Sequence, residues 1–489
     1  MKNIVVILCV AACLGMSVAC TDDDSFSTSP SNMLTFSTDT VSLDTVFSTV
    51  PTTTRTMWVY NRSGDGIRCT NVRLANGNQT GFRVNVDGEY LSPTAGYQVQ
   101  NVEIRKGDSI RVFVELTSPT NGADGPQLLE DELVFLLESG VEQRINLNAH
   151  TWDATMLRNV VVHGDSTIDS RERPVVIYGG LTVDSMATLR IEPGTTLYFH
   201  GDAGLDVYGR LVAEGTAEEN ITLRGDRLDW MFDYLPYDMV SGQWQGVRFR
   251  SSSYDNVLAF TDIHGTFDGV VCDSSDVDVT KLTMSNSTVH NCQGYGLKAV
   301  NSKVDVSNSQ ITNTLQNCVA VFGGDVMLKH CTIAQFYPFD SNRGAALMYT
   351  NHLDGVSLPL IRMECVNSIV TGYGEDMVMA DNLDNEGSVA FNYRFVNSLL
   401  RTVKTEDDEN VVGIIWEDVT AEDVDTSAIM GEENFRLVDI DMQRYDFHLD
   451  SLSYAIGAAD RNSSLPYDRD GRQRDDEPDM GCYEFFKDE

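Results

Sequence analysis

The residues of this 489-residue chain that are typed and spaced for chemistry are few, and aromatic rings come first. Trp230, Phe232, Tyr234, Tyr237 and Trp244 lie within 15 residues, with charges between them. Amphipathic aromatics at that density stack on sugar rings or anchor a protein partner. The same rings also serve to seal a core, and the turn Trp244-Gln245-Gly246-Val247, which returns the chain to a new strand, favours sealing. Asp273, Asp276 and Asp278 form the tightest acidic cluster and offer oxygens to calcium. They lack the glycine and ligand spacing of a calcium loop, which makes a solvated edge the better expectation. His163, His200, His264, His290 and His330 are scattered without ligand spacing and read as corner or surface residues. Lys281, Lys298, Lys303 and Lys329 fall mostly at strand starts and corners and read as solvated rim residues, which leaves a lyase without an evident base. Glycoside hydrolysis needs two carboxylates flanking one bond. The adjacent pairs Asp407-Asp408 and Asp475-Asp476 lie in an acidic loop and near the C-terminus, so no residue is assigned a catalytic role.

These candidates are carried by a repeat. Leu282, Val304 and Val326 fall 22 residues apart, as do Met284, Val306 and Leu328, and Val289, Ile311 and Ile333. Asn286 with Asn308, Leu297 with Val319 and Ala299 with Val321 keep the same spacing. Within each copy apolar residues come at i and i+2, the period of a strand. A short-strand repeat just above 20 residues long is a solenoid, in which each turn buries its inward side chains against its neighbours. The expectation is an all-β chain: a parallel β-helix over residues 155–460, interrupted by an insertion at 228–242. Val289, Ile311 and Ile333 should stack inward, and Asn286 and Asn308 should turn equivalent corners, their side chains bonding the backbone of the turn. Later coils carry longer loops, since Val366-Asn367-Ser368 and Val396-Asn397-Ser398 are 30 residues apart.

Before the solenoid, residues 33–150 show longer alternating strands, among them Thr56-Met57-Trp58-Val59-Tyr60 and Phe82-Arg83-Val84-Asn85-Val86. Roughly seven short strands between turns suit a small β-sandwich of immunoglobulin type. A polar Ser/Thr/Pro tether (20–32) precedes it. Residues 1–19 read as a secretory signal, with Lys2, an apolar run and the small-residue exit Ser17-Val18-Ala19. The formal net charge of −38 repels nucleic acid and anionic lipid. Of ten cysteines, Cys9 and Cys13 fall in the leader and Cys20 at its end, leaving seven without a CxxC pair. That pattern argues against a disulfide framework or a zinc site, and buried apolar roles are expected.

Several segments also resemble known families. Ser17-Val18-Ala19-Cys20 resembles the lipobox of bacterial lipoproteins, although Ser17 stands where an aliphatic residue is usual. The resemblance implies that Cys20 becomes the acylated first residue, its palmitate-type chains anchoring the protein in a membrane. Asp22-Asp23-Asp24 resembles an export signal of one group of Gram-negative lipoproteins, which implies the outer membrane, facing the cell exterior. "WVYNRSGDGIRCTNVRL" through "GVEQRINLNAH" resembles small bacterial Ig-like domains of the Hydin-related sort, and implies a spacer. "LTVDSMATLRIEPGTTLYF" resembles the first coils of right-handed β-helix surface proteins, which implies that the parallel β-helix is right-handed. Ala455-Ile456-Gly457-Ala458-Ala459-Asp460, Asp470-Gly471-Arg472 and Asp479-Met480-Gly481-Cys482-Tyr483-Glu484 resemble a C-terminal element of pectin-lyase-like β-helix proteins. We expect residues 461–489 to cap the open end of the last coil. Hydrolases of that fold place carboxylates near a Gly-His-Gly turn and an Arg-x-Lys strand. This chain has Ile263-His264-Gly265 and Val162-His163-Gly164, and neither motif. Asp-Thr-Val at 39–41 and 44–46 resembles a short O-glycosylation motif.

The reading at this stage is a lipid-anchored surface protein that binds glycan or protein through the aromatic platform, without cofactor. A polysaccharide lyase or glycoside hydrolase is the alternative. Converging carboxylates or a metal site on one coil face would favour the enzyme; an aromatic-lined groove would favour binding.

Overall fold

The structure is a computed structural model that describes residues 25–232, 234–383, 387–422, 424 and 427–487; the leader, Cys20 and Asp22 to Asp24 lie outside the described residues. The chain divides into two compact units, one ending at Asp153 and the other starting at Ala154.

Among the described residues of the first unit ten strands form two five-stranded sheets. The expected strands are present among eight longer ones, and two-residue edge strands, Thr35–Phe36 and Glu89–Tyr90, bring the count to ten against the roughly seven anticipated. Thr40–Phe47 pairs parallel with Glu142–Trp152, while the neighbouring pairings are antiparallel. Alternation along each strand sends Val59, Val84 and Val112 from one sheet, and Leu43, Val72 and Phe135 from the other, into a single shared core.

The second unit is a parallel β-helix. Among its described residues 26 principal strands are linked in one continuous parallel network, pairing with strands one coil on. The 22-residue columns are the pairing register: Leu282↔Val304↔Val326, Met284↔Val306↔Leu328, Val289↔Ile311↔Ile333, Leu297↔Val319 and Ala299↔Val321. The 30-residue spacing is also a register, Val366↔Val396. The seven cysteines of the described chain are free thiols and all buried.

Asn286, Asn308, Asn367 and Asn397 turn equivalent corners with φ between +44° and +51°. This left-handed region is one that asparagine tolerates better than other residues with a Cβ. The serine that follows each asparagine ties coils together: Ser287 N donates to Ser309 Oγ (3.2 Å) and Ser368 N to Ser398 Oγ (3.1 Å). The asparagine side chains do not bond their own turns, as the sequence suggested. Asn286 Nδ2 donates to Asp468 O (2.6 Å), Asn308 Nδ2 to Tyr467 O (2.7 Å) and Asn367 Nδ2 to Asp460 O (3.2 Å).

Those bonds correct the expected end cap. Residues 460–485 run along the flank of the solenoid, back across its coils. Arg469 reaches Asn220 Oδ1 (3.1 Å), Cys482 N donates to Thr332 Oγ1 (3.1 Å) and Gly481 N to Asn367 O (2.9 Å). Inside this strap Arg474 Nη1 meets Glu484 Oε2 at 2.8 Å, with both side chains buried. The strap and the hairpin Phe435–Asp439/Arg444–Leu449 cover an apolar patch on the outside of the sheet. There Ala334, Phe336, Ile369 and Leu399 pack against Phe435, Phe447, Met480 and Tyr483. The ends of a solenoid are open strand edges, but here its side carries an apolar patch as well, and the tail goes to it.

Candidate functional site

The site is built on one ladder of strands. Thr196–Phe199, Ile221–Gly225, Thr261–His264, Thr288–Cys292, Gln310–Thr314 and Thr332–Gln335 stack in register. Leu197, Leu223, Ile263, Val289, Ile311 and Ile333 point inward into the core. Strand alternation therefore turns Asp262, His264, Thr288, His290, Gln310 and Thr312 outward. Asp262 pairs with Thr288, and His264 with His290, one coil apart.

The outward groups form a network. Asp262 Oδ1 lies 2.9 Å from His264 Nδ1 and 3.4 Å from His290 Nε2. His264 Nε2 meets Asp238 Oδ1 at 2.8 Å, and Arg224 Nη2 holds the same oxygen at 2.8 Å. The two imidazoles stack at 4.7 Å. Burial alone would push Asp262 upward, but the charge and hydrogen bonds of His264 and His290 hold it well below the usual carboxylate range. Burial likewise works against a charged His264, yet Asp262 and Asp238 together raise it to about 9. Asp238 is lowered: burial opposes its charge, but the bond to His264 and the charges of His264, Arg224 and His290 together outweigh that.

Facing this wall is the C-terminal region. His448 Nδ1 meets Asp446 Oδ1 at 2.5 Å and its Nε2 meets Asp470 Oδ2 at 3.0 Å. Its ring lies 4.1 Å from Tyr483, whose hydroxyl bonds Gln310 Oε1 at 2.9 Å. Burial disfavours the His448 cation, but its two carboxylates raise it above the ordinary imidazole value. Asp470 is lowered by His448 against the effect of burial. Between the walls is a cleft of about 370 Å³, floored by Thr288, Gln310 and Asn313 and edged by Tyr445, Arg469 and Met239. The Oδ1 of buried Asn313 has no hydrogen-bond partner. An acceptor left so costs about 1–3 kcal/mol unless water or a ligand donates to it.

Every carboxylate lining this cleft is paired with an imidazole, and Asp470 also with Arg472 at 3.5 Å. Two-carboxylate glycoside hydrolysis needs one carboxyl held protonated near neutrality. Asp262 and Asp470 are both shifted the other way.

The aromatic platform divides. Trp230–Phe232 and Leu235–Pro236 form a short hairpin in the insertion, with Trp230, Phe232 and Tyr234 exposed and the rings of Phe232 and Tyr234 parallel at 5.8 Å. Tyr237 lies under Arg227 at 3.6 Å. Trp244 does not belong to the platform. It is fully buried in the solenoid, stacked on Phe199 at 4.2 Å, its Nε1 donating to His264 O at 2.8 Å. The insertion reaches the cleft through Asp238 and Met239, which follow the hairpin.

Other expectations need correction. His264 is buried, and so is His330, which does hold the expected corner, at φ +51° and 22 residues after Asn308, and accepts from Asn367 Nδ2 at 3.1 Å. Lys281 is fully buried, its ammonium donating to Arg250 O (2.7 Å) and Ser253 O (2.8 Å), which replaces water at that corner. In the acidic cluster read as a solvated edge, with calcium as the alternative, Asp273 is held by Arg248 at 2.9 Å and by Arg250 at 3.8 Å, which engages the oxygens a cation would need. The sequence reading missed Asp262, His264 and His290 as a group. The signal was present: extending the column Val289–Ile311–Ile333 back to Ile263 puts both histidines in one outward row.

A sequence-family profile described as "Right handed beta helix region" matches residues 145–353. No curated protein matches the chain. Among solved structures, a family 123 glycoside hydrolase from Clostridium perfringens that hydrolyses glycolipid glycans aligns at 10% identity and TM-score 0.17. That alignment covers 24% of this chain and 26% of the hydrolase, about a quarter of its length. The catalytic unit of a GH87 α-1,3-glucanase from Streptomyces thermodiastaticus aligns at 12% identity over 73% of this chain and 72% of its own, TM-score 0.23. Pectate lyase Pel9A aligns at 12% over 68% and 87%, TM-score 0.27. The strand register and the profile make the second unit a right-handed parallel β-helix. Similarity at this level carries nothing about activity.

Proposed function

We propose that this chain is a lipid-anchored protein of the outer cell surface that binds glycan without cleaving it. The ligand surface is the flank cleft together with the aromatic hairpin beside it, and the sandwich of Ig-like type serves as spacer. The observation that carries this reading is the cleft's composition. Tyr445 and Tyr483 stand beside a dense set of side-chain donors and acceptors, Thr288, Gln310 and Thr312 among them, while each lining carboxylate is tied to an imidazole. Rings beside mixed polar groups match a sugar's apolar face and hydroxyls. The exposed rings of Trp230, Phe232 and Tyr234 extend the surface to a longer chain.

A glycan array followed by titration calorimetry on the mature chain tests this. Trp230→Ala and Tyr234→Ala should each lose at least about 2 kcal/mol of binding, roughly thirtyfold, if they are hot spots. Binding unchanged in both, and in Asn313→Ala, refutes the surface. Cys20→Ala should release soluble protein or leave uncleaved precursor, and unchanged detergent partitioning would sink the anchor. Replacing Asp22, Asp23 and Asp24 together should remove the protein from protease shaving of whole cells.

One observation favours the catalytic alternative. His290 leans on Asp262 through Nε2, while its Nδ1 makes no hydrogen bond among the described residues, an arrangement suited to a general base. Turnover of a polysaccharide that is lost in His290→Ala would decide for it.

A further inference from the structure

We infer that Asp262, His264 and His290 form a binding site for a divalent transition-metal ion, opening into the flank cleft. The decisive feature is convergence. Nitrogens of two imidazoles on neighbouring coils gather at one carboxylate oxygen, His264 Nδ1 within hydrogen-bond distance at 2.9 Å and His290 Nε2 beside it at 3.4 Å, and the ligand atoms all lie within 4.8 Å of one another. Among the described residues this is the only cluster of three such groups. His448 shows the contrast: it too touches two carboxylates, but through opposite ring nitrogens, so no point is shared.

The surroundings are arranged as a metal site requires. A ligating imidazole commonly gives its second N–H to a carboxylate, which fixes the tautomer and aims the other nitrogen at the ion. His264 Nε2 has that partner in Asp238 at 2.8 Å, and Asp238 is anchored in turn by Arg224 at 2.8 Å. This leaves His264 Nδ1 as the ligating atom. The three ligands sit on adjacent rungs of a rigid ladder, with Ile263 and Val289 locked in the core behind them. The rings stack at 24°, so seating an ion asks His290 to turn slightly about its side-chain bonds, and its 18% side-chain exposure leaves room for that.

Two imidazoles and one carboxylate suit zinc, cobalt, manganese or ferrous iron. Calcium prefers six to eight oxygens and is disfavoured. Positions not filled by protein face the cleft, where water or the hydroxyl and carboxylate oxygens of a ligand complete the shell. Only that last statement rests on the cleft being a glycan site, and an ion held on this coil face would itself count toward the catalytic alternative.

The test uses the metal alone. Chelator-stripped mature protein is titrated with Zn²⁺, Co²⁺, Mn²⁺ and Ca²⁺ by calorimetry, with Co²⁺ visible absorption reporting the ligand field. We expect one saturable site per chain for Zn²⁺ and Co²⁺, none for Ca²⁺, and a rise in melting temperature on loading, since the ion joins two coils. His290→Ala should abolish the site. Asp238→Asn, which touches a ligand and not the ion, should weaken it about 10–100-fold. His290 is partly exposed, and a melting curve of metal-free His290→Ala near the parent's shows that the variant folds; His290→Gln replaces it if not. No saturable uptake of Zn²⁺ or Co²⁺ overturns the assignment, and so does uptake that survives the loss of His290. No glycan is present in these titrations, so their failure is distinct from failure of the glycan reading.

Discussion

Between Thr261–His264 and Gln310–Thr314 the outer face of the site ladder is polar and borders an open cleft. From Thr332–Gln335 to Leu399–Leu400 the same face carries Ala334, Ile369 and Leu399 and lies under the strap and hairpin. The inner face does not change between the two stretches: Ile263, Val289, Ile311, Ile333 and Val370 continue one column. A solenoid's coils are interchangeable from inside, so specialisation is written on the outside. Where the outward residues are apolar, the chain's own tail shields them; where they are charged and paired, it stands off and leaves a cavity.

The largest effects should come from the covered stretch. Phe336→Ala removes a buried ring packed between Tyr373 (4.8 Å), Phe435 and Phe447 (both 6.1 Å). It should cost about 3–5 kcal/mol in urea unfolding and make the strap a protease target. Ile311→Ala, inside the solenoid, should cost about 2–5 kcal/mol without loosening the strap. Equal strap cleavage in the two variants would erase the distinction between the faces. Arg474→Ala leaves Glu484 buried and unpaired, at a cost of about 3–5 kcal/mol, whereas Arg474→Met with Glu484→Leu should recover most of it.

Acid should loosen the covered stretch through His330. Burial and the nearby Arg474 push its imidazole well below the ordinary value of about 6.5. It is folded in as the neutral form, so its contribution is full above that value and is lost as pH falls through the lower folded one. Asp479, which burial and Glu484 raise to about 7, titrates in parent and variant alike and cancels in their difference. The parent should therefore lose stability on acidification more steeply than His330→Gln; parallel curves would refute the assignment.

Smaller effects sharpen the comparison. Asn308→Gly keeps the positive φ but deletes the bonds to Tyr467 O (2.7 Å) and Arg474 (3.2 Å), at about 1–2 kcal/mol. Smallest of all, Trp230→Ala on the exposed hairpin should stay within about 0.5 kcal/mol of the parent. Trp244→Ala should cost about 3–5 kcal/mol by opening a cavity. A reversed order would return Trp244 to the ligand surface.

The sequence by itself determined the coils. Burial against identical neighbours demands the same apolar residue type at the same place in each turn, so Leu282, Val304 and Val326 declare their register in one dimension. It also determined the asparagine corners, because a positive φ restricts residue type. The first unit was legible as strands, but the edge pairs were not, since two-residue strands carry no period.

Only the tertiary structure decided what lies outside the coils. The tail's destination depends on which surface stays uncovered once the solenoid has formed, and the tail's own residues read equally well as an end plug. Trp230 and Trp244 have the same side chain, and only the position of the hairpin relative to the core puts one in solvent and the other on Phe199. Asp262, His264 and His290 became a site for the same reason. Their 26-residue separation has meaning only when two coils stack, and their hold on Asp238 only when the insertion folds back. Inward columns repeat and can be read from a string; outward contacts join residues with no repeat between them, and only folding brings those together.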